Sequence, residues 1–224
     1  VGRDGTGKTK RAKVLSVHRI ENRMLWKQYW HRRNELIDEH HAYNVRVQPL
    51  NPAAFQIAID QRKQVGTPGE RAARYRMNGP IDEDGLVDAK LNELFLYHGT
   101  SAAVADTIIP YHGFDERVGA MGGLYGAGTY FANQSCKAGQ YATADNNGVK
   151  SIIIARVVLG DPFYATGMMR NERRPPNRNN KFAPGLTWDS VVANSAGSQI
   201  HREFILYGHN AVAYPEYVVK YKEQ

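Results

Sequence analysis

Apolar and polar positions alternate with two different periods along this chain, and the changes of period mark out its elements. From Lys13 to Ile20 the β-branched content predicts a strand, and from Met24 to Asp38 the spacing turns helical, with Trp26, Trp30, Arg33 and Ile37 sharing one face. A strand followed by a helix opens the fold. Residues 39 to 90 hold Pro49, Pro52, Pro68, Gly69, Gly79 and Pro80 with only short apolar groupings such as Ala53 to Ile59, which reads as an inserted, partly helical stretch and not a domain. Regularity returns at Leu94. Strands are expected at Leu94 to His98, Gly128 to Ala132, Ser151 to Leu159, Glu203 to Gly208 and Glu216 to Tyr221. Helices are expected at Ala102 to Ile109, with Gly113 ending that stretch, and near Ser135 to Tyr141. Loops take Tyr111 to Gly123 and Gly160 to Ile200.

A chain of 224 residues, 42% apolar, can bury one substantial core, so a single domain over 13–224 behind a basic, flexible lead-in at 1–12 is expected. No apolar run approaches a membrane span and the N-terminal stretch lacks a secretory signal, which predicts a soluble intracellular chain, cytoplasmic or nuclear, with no membrane partner. One cysteine, Cys136, excludes an intramolecular disulfide and any multi-cysteine zinc site. The net charge of +7 is unevenly placed, with ten Lys or Arg against four Asp or Glu in residues 1–38. That basic end could take nucleic acid as an optional partner, but no aromatic residue interleaves with its lysines before Trp26, and a solvated face accounts for it equally well. A second basic run, Arg170 to Lys181, contains Pro175 and Pro176 and reads as a loop within reach of an anionic acceptor. Gly2 to Thr9 spells the phosphate-cradling pattern G-x-x-x-x-G-K-T. That loop works only between a buried strand and a helix N-terminus, and a strand is expected after it here.

The candidate chemistry lies in three places. His98-Gly99-Thr100 ends an apolar strand and puts a ring nitrogen, an unhindered backbone and a hydroxyl at one rim. Gly122, Gly123, Gly126 and Gly128 surround Tyr125 and precede Tyr130, which reads as a hairpin with glycine turns and not as the G-x-G-x-x-G dinucleotide fingerprint. Glu203 opens the apolar strand Phe204 to Tyr207. Singly, each has a structural explanation: a strand-end histidine often serves as a hydrogen-bonder, and a strand-end glutamate as a solvated rim.

Taken together, LFLYHGT (94–100), HGFDERVGAMGGLYGAGTYFA (112–132) and REFILYGHNAVAYPEYVVKY (202–221) resemble the catalytic core of the poly(ADP-ribose) polymerase family, with runs most similar to its tankyrase-like members. The resemblance implies an α+β ADP-ribosyltransferase fold, two packed and mostly antiparallel β-sheets around an NAD cleft with flanking helices. It makes His98, Tyr130 and Glu203 the catalytic triad, and His98, Gly99, Thr100, Asp115, Tyr130 and Tyr141 the NAD contacts. Gly99 would clamp the nicotinamide carboxamide, Tyr130 and Tyr141 would stack on its ring, and 115–122 would form the loop over the donor. Leu124 and His201 would face the acceptor. The implied activity cleaves the nicotinamide–ribose bond of NAD and passes ADP-ribose to protein acceptors, the enzyme itself among them. A glutamate in the triad favours poly- or oligo-ADP-ribosylation, with single transfer, or a degenerate NAD- or ADP-ribose-binding module, as alternatives. Two departures stand out. Ala138 replaces the serine that in the family donates a hydroxyl to the carboxamide, and Ala142 to Lys150 lacks the Cys/His zinc cluster of tankyrase-like members, so no metal is expected.

Overall fold

The computed structural model describes residues 2–3, 9–50, 88–115, 123–194, 201–208 and 212–224. Most of the inserted stretch at 39–90 and most of the donor loop at 115–122 lie outside them. Two short strands, β1 (Gly2–Arg3) and β2 (Thr9–Lys10), pair antiparallel in the lead-in. Strand β3 (Ala12–Arg19) comes next in the chain, so a strand and not a helix follows Thr9. Helix α1 (Arg23–Ala42) leads to β4 (Glu93–Gly99), and a π-helical turn (Val104–Ile108) runs into α2 (Ile109–His112). The remaining elements are β5 (Thr129–Ala132), α3 (Ser135–Gly139), β6 (Lys150–Val158), β7 (Pro162–Ala165), β8 (Ser190–Asn194), β9 (Arg202–Leu206) and β10 (Ala213–Glu223).

Eight strands form one hydrogen-bonded sheet in the order β3-β10-β6-β4-β5-β9-β8-β7, antiparallel throughout except for the parallel β7–β8 pair. Where two packed sheets were expected, the described strands β3 to β10 join in one continuous ladder. Its two halves meet at a single register pair, Tyr97 with Ala132, so the ladder is continuous but narrow where β4 passes to β5. Both halves feed one core: Leu94, Leu96, Ile153 and Val157 from the first pack with Phe131, Val192 and Phe204 from the second. The class remains α+β. Strands β7 and β8 fall inside the stretch expected to be a loop, since runs of four and five residues give too little periodicity to register.

Helix α1 begins at Asn22, whose side-chain oxygen accepts from the backbone N–H of Met24 (3.0 Å) and Leu25 (3.1 Å). Its buried residues are Leu25, Tyr29, Leu36 and His40, not the face of Trp30 and Ile37, which are 42% and 39% exposed. Polar anchors far away in sequence choose that face. The Tyr29 hydroxyl donates to Glu93 on β4, and His40 Nε2 lies 2.8 Å from Asp189 Oδ2. Beneath α1, Arg156 on β6 donates through Nε to Glu216 (2.9 Å), lies 3.7 Å from Glu93, and stacks its guanidinium over Phe95. Among the described residues, no helix is long and apolar enough to cross a membrane.

Candidate active site

The narrow junction of the sheet opens into a cavity of about 540 Å³, a size suited to a small organic ligand. His98, Gly99, Thr100, Asp115, Tyr130, Tyr141 and Glu203 all line it. Strand register brings them together. Tyr97 stands opposite Ala132 and Ala132 opposite Glu203, so the end of β4, the glycine hairpin before β5 and the start of β9 converge on one space. Leu124 also lines the cavity, whereas buried His201 does not.

His98 Nδ1 lies 2.8 Å from the Tyr130 carbonyl oxygen, and its ring packs against Phe114 and Phe131. A carbonyl can only accept, so Nδ1 carries the proton and Nε2 is the acceptor of the neutral ring. Burial lowers the pKa of this imidazole, while the bond to Tyr130 opposes the shift. Folding therefore favours the neutral form, and the unfolded chain binds the extra proton more readily. Stability from this group is complete above the ordinary histidine value of 6.5 and is lost as pH falls below it. Thermal melts recorded above and below that pH should show acid destabilisation that flattens in His98→Asn; an unchanged slope in the variant would assign the acid sensitivity elsewhere.

Tyr130 is fixed at both ends. Its hydroxyl accepts from Tyr125 N–H (2.9 Å) and donates to the Gly126 carbonyl (2.8 Å), and burial pushes its pKa up to about 12. This bond pair locks the hairpin loop to β5. Gly99 explains itself differently from the sequence reading, which left its space to a ligand. A Cβ there would lie 1.7 Å from the Ala138 carbonyl oxygen, so α3 already fills the side-chain position.

Glu203 is 5% exposed and pairs with Lys137, whose Nζ is 2.9 Å from Oε1. Lys137 also donates to the Tyr141 hydroxyl (3.2 Å) and sits 5.0 Å from its ring centroid. Burial pulls the ammonium down, but the hydrogen bond and charge of Glu203, with Tyr141 behind them, outweigh it and raise the pKa. Lys137 therefore keeps its positive charge at neutral pH, directly beside Glu203. Lys137 was not among the expected site residues, although its place four residues before Tyr141 near a helical turn puts both on one face.

Ala138 lines the cavity and is 3% exposed. With no hydroxyl at this position, a carboxamide loses a hydrogen bond worth about 0.5–1.5 kcal/mol. Ala138→Ser is expected to tighten a benzamide ligand by about 2-fold to 12-fold. Calorimetric titration of both proteins checks this, and unchanged or weaker binding would show that the pocket already supplies the donor. Among the described residues, no group of three or more His, Cys, Asp or Glu side chains is placed to hold a metal ion.

An α+β domain with one long, mostly antiparallel sheet and a ligand-sized cleft at its narrow junction is the class of protein that this fold and cavity define. Comparison with known proteins supplies the family: the model of the poly(ADP-ribose) polymerase catalytic domain matches residues 3–223, and the chain belongs to that family. It is 30% identical over 152 residues to the protein mono-ADP-ribosyltransferase PARP11 of Mus musculus, an alignment that takes in 59% of this chain and 43% of that one. It is 33% identical over 134 residues to the protein mono-ADP-ribosyltransferase PARP12 of Homo sapiens, with 58% and 17% covered respectively. The chain thus spans less than half the length of these curated relatives.

Proposed function

We propose that this domain transfers single ADP-ribose units from NAD+ to protein acceptors. The carrying observation is the convergence of His98, Gly99, Tyr130, Tyr141 and Glu203 on one cavity. In the reaction the bond between the ribose C1′ and the pyridinium nitrogen breaks, and nicotinamide leaves with the electron pair. An acceptor nucleophile then bonds to C1′ and loses its proton to solvent. Positive charge grows on the ribose as the bond opens, so the carboxylate of Glu203, paired with Lys137 and placed beside it, lowers the transition state more than the ground state. Lys137 holds one carboxylate oxygen in place. Neutral His98 offers Nε2 to a ribose hydroxyl, and the rings of Tyr130 and Tyr141, which line the same cavity, would stack on a flat cationic ring.

The expectation of chain elongation rested on Glu203 alone. Single transfer is the reading that the named relatives support, since PARP11 and PARP12 are both mono-ADP-ribosyltransferases. The chain given NAD+ should yield, in intact-protein mass spectra, additions of isolated ADP-ribose units. Ladders of linked units would restore the polymerase reading, and no addition with no nicotinamide released would leave a binding module.

A further inference from the structure

The turn at 169–172 is built onto the cavity wall. Met169 N–H donates to the Leu124 carbonyl (2.8 Å), Ala127 N–H donates to the Glu172 carbonyl (2.9 Å), and Glu172 N–H closes the turn on Met169 (3.1 Å). Gly126, at φ 91°, sits so close that a Cβ there would lie 2.2 Å from the Glu172 carbonyl oxygen. Leu124, Gly123 and Gly128 line the cavity on the far side of this contact. Arg170 stands at the tip of the strapped turn and Arg173 and Arg174 follow it, all three exposed, before the chain is anchored at buried Pro175. Neither Arg170 nor Arg174 has an ion-pair or hydrogen-bond partner among the described residues. Three guanidinium groups against one carboxylate, Glu172, in five residues, held by backbone bonds beside the wall that Leu124 lines, make a net positive rim that nothing in the donor chemistry uses.

We propose that this rim docks an acidic segment of the acceptor protein, whose carboxylates pair with Arg170 and Arg174 and so hold a neighbouring side chain in front of Glu203. The inference rests on the transferase reading for what happens after docking, but docking itself does not. Guanidinium forks match carboxylates bidentately. Between Gly167 and Pro176 no aromatic ring interleaves with the arginines, so the stacking platform of a single-stranded nucleic-acid site is missing there. Met168, 63% exposed, instead offers an apolar contact to a peptide side chain.

The test uses the whole chain and two fluorescent peptides of equal length, one with glutamates at alternate positions and one with glutamines in their place. Anisotropy without NAD+ should show tighter binding of the glutamate peptide. Arg170→Glu/Arg174→Glu should weaken it by about tenfold, Arg170→Gln/Arg174→Gln by less, and both losses should shrink as salt is raised. Melting temperatures should hold, since both side chains are exposed. Equal binding of the two peptides, or equal affinity in wild type and the charge-reversed variant, overturns the proposal. So does a labelled oligouridine that binds more tightly than the glutamate peptide and depends on the same arginines. NAD+ consumption is measured separately: if the wild type consumes none, the transferase reading fails while the anisotropy still decides the rim.

Discussion

Glu203→Gln is expected to lower ADP-ribose transfer by about 100-fold or more, the scale of loss when a group that stabilises developing charge is neutralised. Gln keeps the volume and an acceptor oxygen, so the register of Ala132 with Glu203 and the walls of the cavity should survive. NAD+ affinity should change little, because the carboxylate acts on the charge that appears as the glycosidic bond opens. The ammonium of Lys137 loses its counter-charge and keeps Tyr141 as its hydrogen-bond partner. Single-turnover transfer measured beside ligand-induced thermal shifts separates these effects. Wild-type rates in the variant would remove Glu203 from the chemistry, and loss of the NAD+ shift would mean that the substitution damages the site.

The largest effect on stability should come from the opposite side of β6. Arg156→Met leaves Glu93 and Glu216, 4% and 6% exposed, without their shared cation. Removing one partner of a buried ionic cluster costs about 3–5 kcal/mol. For a domain of this size that corresponds to a fall in melting temperature of about 6–20 °C. The Tyr29 hydroxyl still donates to Glu93, a bond of itself too weak to compensate. Adding Glu216→Gln to the same chain should recover part of the loss by removing one orphaned charge. A single variant that melts with the wild type would show that solvent reaches the cluster and screens it.

The residues that line the candidate site are more legible in the sequence than the fold is, and the reason is physical. His98, Gly99, Tyr130 and Glu203 sit at ends of apolar strands, where local pattern and special residue types coincide; β4, β5, β6 and β9 start or stop within two residues of where the alternation puts them. The face of α1 could not be read locally. Its Trp26, Trp30 and Ile37 make a convincing apolar stripe, but the helix turns toward Glu93 and Asp189, polar anchors that lie far away in sequence. Lys137 escaped notice for the same reason, since a lysine in a short helix is ordinarily solvated and only register with β9 supplies Glu203. The merging of two expected sheets into one depends on a single pair, Tyr97 with Ala132, which no periodicity can announce.

That single pair makes the cavity the seam of the molecule. Elsewhere in the eight-stranded sheet neighbouring strands are stitched by four or more register pairs, while here the pairing thins to one and residues of both halves line the same void. A dinucleotide seated there would touch β4 through Gly99 and β9 through Glu203 at once, acting as a cross-brace where the protein has fewest of its own. The free energy of binding would then be delivered to the least paired joint of the eight-stranded sheet, so a donor bound as proposed would complete the architecture that holds Gly99 and Glu203 in alignment.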